Sequence, residues 1–358
     1  MTPNFWFGKR VFVTGHTGFK GSWLCLWLSS LGAKVVGFSL PPVGEPNLFD
    51  LAKVKEVMVN IEGDIRNIDQ LNKALLTSQP EIVFHLAAQS LVRPSYVDPL
   101  LTYQTNVMGT ANLLDCIRTS QLPCSVVNIT TDKCYENKEW YFGYREFDAL
   151  GGFDPYSNSK ACSELVTSSY RSSFFHPETF QSHQVAIATA RAGNVIGGGD
   201  WAKDRLIPDV LKALEKNQPL DVRYPHAIRP WQHVLEPLHG YLMLAEKLNT
   251  LGPKFGKAWN FGPNDSEICS VGDVLNKLSE IWDSPVNWQT TDEKHPHETN
   301  YLKLDISLAR HELGWQPMLS INKALQLVVE WEQSRLSKAD MQHVSLLQIG
   351  DYQKMVTH

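Results

Sequence analysis

The stretch Arg10-Val11-Phe12-Val13-Thr14-Gly15-His16-Thr17-Gly18-Phe19-Lys20-Gly21 decides how the rest of the chain is read. Its first five residues form a short apolar, β-branched run that suits a buried strand. Glycines follow at 15, 18 and 21, and Ser22-Trp23-Leu24-Cys25-Leu26-Trp27-Leu28 then sets Trp23 and Trp27, and Leu24 and Leu28, at helical intervals. A strand, a glycine turn and a helix bring backbone N–H groups and the positive end of a helix dipole to one point, where a pyrophosphate can sit. Gly15, His16, Thr17, Gly18, Phe19 and Gly21 are therefore the first candidates for binding a dinucleotide. His16 is bulkier than such a turn requires. It is expected either to be a solvated loop side chain or to crowd the cofactor, so that NAD is held loosely.

Working outward, Lys34-Val35-Val36-Gly37-Phe38-Ser39 reads as the second strand. An acidic residue at its end would favour NAD and an arginine NADP. Ser39 and Leu40 are neither, so this position leaves the choice open. Asp64, with Ile65 beside it, ends a third strand and is a candidate for the adenine edge or, alternatively, for capping the next helix. Apolar runs at 83–88, 126–129 and 185–188 alternate with helical patterns around 106–120 and 155–173. That alternation predicts an α/β fold with a doubly wound parallel sheet.

Two further segments carry chemistry: Thr130-Thr131-Asp132-Lys133 and Tyr156-Ser157-Asn158-Ser159-Lys160. On a helix Tyr156 and Lys160 share a face. A phenol is a poor base at neutrality, and an adjacent ammonium stabilises its phenolate. Tyr156 is thus the candidate base at a substrate hydroxyl, with Lys160 as its cation and Thr131 as a second hydrogen-bond partner for the reacting oxygen.

Taken together, the glycine turn, His85-Leu86-Ala87-Ala88-Gln89, Asn106 with Gly109-Thr110, Thr131 and Tyr156-x3-Lys160 resemble the extended short-chain dehydrogenase/reductase superfamily. More narrowly the chain is similar to nucleotide-sugar 4,6-dehydratases, and most of all to the branch that acts on CDP-glucose. Thr130 to Tyr135, Arg191-Ala192-Gly193-Asn194-Val195-Ile196-Gly197-Gly198-Gly199-Asp200-Trp201 and Arg229-Pro230-Trp231-Gln232-His233-Val234 carry that likeness. The resemblance implies a Rossmann domain over 1–192 plus 231–262, binding NAD with Ala87, Ala88 and Asn106 among its contacts. It implies a smaller interleaved α/β domain over 193–230 plus 263–358 for the nucleotide sugar, with Asn194, Arg205, Arg229 and His297 as substrate ligands. It also implies a homodimer built on helices near 97–119 and 154–175, and a product destined for a bacterial surface polysaccharide such as lipopolysaccharide O-antigen.

For such a reaction Asp132 is the candidate acid at the C6 hydroxyl, which requires that burial hold it neutral. Familiar dehydratases place Glu next, as the C5 base, whereas this chain has Lys133. A lysine can act as base when desolvated among other cations. The alternative is an ammonium that stabilises the enolate while another group takes the proton. A 4-epimerase or a dehydratase of another nucleotide sugar is the nearest competing reading, and Asp132 argues for dehydration. A silent NAD(P)-sensing protein on the same fold is disfavoured because the Tyr156/Lys160 pair is intact.

The chain has 358 residues and a formal net charge of −5, without a basic block. Nucleic acid is therefore not expected as a partner. No run reaches the ~18 apolar residues of a spanning helix, and Met1 to Trp6 lacks the marks of a secretory leader, so a cytoplasmic protein is expected. The six cysteines show no paired spacing and read as buried thiols. His295-Pro296-His297-Glu298 lacks the spacing of a zinc helix, and no metal is expected. The residues after about 335 are polar enough to suggest a loosely held tail.

Overall fold

A computed structural model describes residues 2, 4–282, 285–290 and 301–356. Seven parallel strands form one sheet: β1 (Arg10–Thr14), β2 (Lys34–Ser39), β3 (Val59–Glu62), β4 (Ile82–His85), β5 (Ser125–Ile129), β6 (Ala186–Ala192) and β7 (Ala258–Phe261). Their spatial order is β7-β6-β5-β4-β1-β2-β3, so the winding reverses between β1 and β4. In open α/β sheets such a reversal opens a crevice at the carboxyl ends of the strands, where ligands bind.

Alternation along the strands fills both faces of the sheet. Val11 and Val13 pack into one core with Trp23, Trp27 and Leu242, whereas Phe12 joins Leu71, Leu113 and Val126 in the other. Helix α1 (Phe19–Ser30) is buried from Gly21 through Leu28. A helix apolar on every side must be covered on every side. The sheet covers one side of α1, and the C-terminal helix α2 (Met341–Val356) packs on it as well. Tyr352 of α2 meets Trp27 edge-on and donates a 2.7 Å hydrogen bond to Glu236. The chain end is thus a docked helix, contrary to the loose tail expected, because Met341, Ile349 and Tyr352 all bury.

Between β6 and β7, and again after β7, the chain builds a second core from Ile207, Val210, Leu275, Leu278, Leu325 and Val328, among others. Short pairs knit this region: Leu220–Val222 with Trp288–Thr290, and Ile228–Arg229 with Cys269–Ser270. The glycines of the 197–199 run are there for space and turn geometry. A Cβ on Gly198 would lie 2.1 Å from the Trp331 indole, and Gly199 has φ +83°. Among the described residues no helix is long and apolar enough to cross a membrane, and no cluster of His, Cys, Asp and Glu could hold a metal. All six cysteines are free thiols.

Candidate active site

The glycine turn forms a cradle at the β1/β4 reversal. Gly15 has φ +74°, and a Cβ there would lie 2.6 Å from the Ala87 nitrogen. A Cβ on Gly21 would lie 2.2 Å from the Gly15 oxygen. Only glycine lets the first turn of α1 come this close to the strand ends. These residues fit a dinucleotide. Thr17 bonds the Ser39 hydroxyl at 3.0 Å, closing the end of β2. Asn106 pairs with the Gln89 backbone in both directions, at 2.8 and 2.9 Å, and its amide also donates to Ser159. It thereby fixes the Ala87-Ala88-Gln89 loop against the helix that carries Tyr156. Asp64 holds Arg66 and does not cap the following helix, whose cap is Asn67. Ile65 is buried against Gly109.

His16 departs from both expectations. Its ring is wholly buried, 2.6 Å from the Asn60 Oδ1 and edge-on to Phe49. Gly37 makes room for it, since a Cβ there would lie 2.3 Å from the ring. Burial lowers its pKa, so the imidazole is a neutral part of the packing under the turn, and the side chain is neither solvated nor exposed in the crevice.

Helix α3 (Pro155–Ser173) begins at Asp154, whose side chain accepts from the Ser157 N–H, with proline in the first turn. Tyr156 and Lys160 lie on its buried face. Thr131, just past β5, lies close enough to the Tyr156 phenol to favour its phenolate, and it donates to Asp132 Oδ1 at 3.0 Å. Asp132 is fully buried, and its Oδ2 has no partner. Lys133 is half-buried and lines the same cavity of about 650 Å³ as Thr131, Asp132 and Tyr156. The relation of Tyr156 to Lys160 differs from the expected one. Lys160 Nζ donates to the Ile129 carbonyl at 3.0 Å. Burial pushes the phenol up to about 12, and the influences that pull it down are the Thr131 hydroxyl and the Arg205 guanidinium. Burial also lowers Lys160 to about 8, opposed first by Glu164.

Asn194, Arg205 and Arg229 line the cavity opposite the Tyr156 helix. Asn194 adopts a left-handed φ of 41°. Arg205 is held by Asp200 at 2.8 Å, and Arg229 donates to the Ile228 carbonyl. His297 lies outside the described residues.

Lys20 was missed by sequence reasoning. It projects from the first turn of α1 into the cavity. Burial, with Lys160 and Arg205 nearby, pushes it down to about 7. A charged residue between two glycines of the turn was the available signal. Arg93 was missed as well; it reaches across to Asp204 at 2.8 Å, and no local pattern announces that pairing.

A family model described as GDP-mannose 4,6 dehydratase matches residues 12–328. The chain is 51% identical over 357 residues to a CDP-glucose 4,6-dehydratase of Salmonella typhimurium, covering 100% of this chain and 99% of that protein. It is 24% identical to a dTDP-glucose 4,6-dehydratase of Xanthomonas campestris, over 89% of this chain and 92% of that one. The solved structure of a DesIV double mutant, a dTDP-glucose 4,6-dehydratase from Streptomyces venezuelae with NAD and DAU bound, has a TM-score of 0.78 at 23% identity. That match spans 93% of this chain and 99% of the other, and is a likeness of fold.

Proposed function

This chain belongs to the GDP-mannose 4,6-dehydratase family, and from that premise we propose that it converts CDP-glucose to CDP-4-keto-6-deoxy-D-glucose. The observation that carries this reading is Asp132: a fully buried carboxyl beside the Thr131–Tyr156 pair, lining the cavity with one oxygen unpartnered. A 4-epimerase needs no acid at C6, whereas loss of the C6 hydroxyl as water does.

The cradle of Gly15, Gly18 and Gly21, with Thr17, Ala87, Ala88 and Asn106 around it, would hold NAD. Bound there, NAD would supply the hydride acceptor for C4 and the hydride donor for C6, which would leave the cycle redox-neutral. Tyr156, as phenolate, removes the C4 hydroxyl proton while Thr131 hydrogen-bonds the same oxygen. The resulting 4-ketone acidifies the C5 hydrogen. Lys133 takes that proton and Asp132 gives one to the departing C6 hydroxyl, and C5 is then reprotonated. Arg229, Arg205 and Asn194 bind the diphosphate and nucleoside, an arginine fork being suited to phosphate oxygens.

We assign 1–192 plus 231–262 to the NAD side and 193–230 plus 263–358 to the nucleotide-sugar side, with the final helix α2 returning to pack on α1. A second copy of the chain covers the apolar residues Val97, Leu100, Met108 and Leu165, all more than half exposed on the helices expected to pair. The enzyme works in the cytoplasm, ahead of deoxy-sugar assembly for a surface polysaccharide.

The test is mass spectrometry of products after incubating the protein and added NAD with CDP-, dTDP-, UDP- and GDP-hexoses separately. Loss of one water from CDP-glucose without net NADH is the expected result. A C4-inverted sugar of unchanged mass would establish an epimerase. No reaction with any of them, once NAD binding is demonstrated, would favour the sensor reading.

A further inference from the structure

Behind Lys160, away from the cavity, lies a second carboxylate that the proposed reaction does not use. Glu164 follows Lys160 by one helical turn on α3, so Tyr156, Lys160 and Glu164 form a ladder along one face. Glu164 is 4% exposed, and both of its carboxylate oxygens are hydrogen-bonded. Its Oε1 accepts from the Thr130 hydroxyl at 2.5 Å and from Arg191 at 2.9 Å. Its Oε2 accepts from the Thr189 hydroxyl at 2.6 Å and from Arg191 at 2.9 Å. One carboxylate therefore joins three elements: the end of β5, strand β6 and helix α3.

A buried ion pair of this kind is weak support for stability by itself, since well-packed apolar residues often do as well. Its position suggests another reason for its presence. Thr130 immediately precedes Thr131 and Asp132, so the Glu164–Thr130 bond fastens the strand end that carries those two groups to the helix that carries Tyr156 and Lys160. We propose that Glu164 is a positioning residue: it holds the Lys160 ammonium charged and locks the Thr131–Asp132 strand end in register with the Tyr156 helix.

The surroundings of Lys160 make this necessary. The ammonium is buried and donates to the Ile129 carbonyl. Lys20 of α1 and His85 of β4 both lie close enough to feel its charge. Cys134, past β5, and Glu164 are the groups whose negative forms favour the ammonium, and burial pushes the Cys134 thiol up, which keeps it protonated. Arg205 and Asp132 also act on Lys20 and Tyr156. Glu164 is thus the standing negative charge that offsets desolvation at Lys160, and against its own burial Arg191, Thr130 and Thr189 keep it ionised. Glu164 acts through Lys160 without touching the cavity. Its catalytic consequence rests on the dehydratase reading, whereas its effect on Lys160 does not.

The experiment follows the Lys160 Nζ resonance with pH in protein labelled at lysine with nitrogen-15, assigned by its disappearance in Lys160→Met. Glu164→Gln is expected to lower the titration midpoint by about one unit, roughly tenfold in the protonation equilibrium, and Glu164→Asp is expected to restore most of it. The alkaline limb of kcat on CDP-glucose should shift the same way while KM stays within about twofold. Should Glu164→Gln fail to fold with Arg191 unpaired, the double variant Glu164→Gln/Arg191→Met, compared with Arg191→Met alone, isolates the same effect. An unmoved midpoint in a folded variant overturns the proposal and leaves Glu164 a packing residue. A shifted midpoint in a protein that dehydrates no nucleotide sugar would retain the Glu164 assignment and remove the proposed function alone.

Discussion

Gly193 and Asp132 are in such close register that a Cβ on Gly193 would fall 1.7 Å from the Asp132 Oδ2. The carboxyl has its place only because residue 193 lacks a side chain. Gly193→Ala must therefore displace Asp132 without altering the chemistry of any cavity group. Water loss from CDP-glucose should fall roughly a hundredfold or more, the scale of a lost general acid, while KM changes little. Steady-state kinetics of the variant, with circular dichroism to establish folding, is the check; near wild-type kcat would remove Asp132 as the C6 acid.

Lys133 and Lys20 both face the cavity, and exchange of the substrate C5 hydrogen with heavy water separates them. Lys133→Ala is expected to slow that exchange by roughly a hundredfold. Lys20→Met is expected to leave it within a few fold, because its amine issues from the cofactor-side turn. Near wild-type exchange in Lys133→Ala would reassign the base.

Arg205 is the cation that opposes burial at the phenol. In the proposed mechanism phenolate is the active form and forms as pH rises, so removing the cation raises the pH at which it forms. In Arg205→Met the rising limb of kcat should move to higher pH, and activity at neutrality should fall several-fold. A limb that does not move would confine Arg205 to substrate binding.

Glu236 fixes the C-terminal region by accepting the Met318 and Leu319 N–H groups and the Tyr352 hydroxyl. Burial pushes its carboxyl up to about 7 from 4.5. Between those values the folded protein binds more protons than the unfolded chain, so stability falls as pH rises through the window, by about 3 kcal/mol. Glu236→Gln keeps an acceptor for both N–H groups and cannot titrate. Its Tm should be flatter than wild type from acid to neutral pH, and parallel curves would disprove the assignment.

Where a residue acts through its neighbours in sequence, the sequence was enough to read it. β1 and β2 match their expected bounds residue for residue, and the helix at 155–173 follows from its period and from the Asp154-Pro155 start. The clustering of Thr131, Asp132 and Tyr156 was legible for the same reason, since strand-end and helix motifs of this type meet at the crevice. What stayed hidden depends on distant partners. The inward turn of His16 needs the space at Gly37 and the amide of Asn60. The docking of α2 rests on Tyr352 reaching Glu236, and its buried face includes the polar Ser345 and Gln348, which weakens its amphipathic pattern. The Lys160 contact with Ile129, in place of the phenol, depends on how α3 lies against β5.

Every residue of β6 is buried, yet its outer neighbour β7 is supplied by a segment made only after the chain has begun the second core. While a ribosome is still synthesising that excursion, β6 stands as an open edge with apolar faces and unpaired backbone groups, a template for a strand of any other chain nearby. The interleaving that inserts part of the second core between β6 and β7 therefore makes the nascent protein most prone to aggregate late in translation, and a chaperone that shields this edge until Ala258–Phe261 emerges would raise its yield.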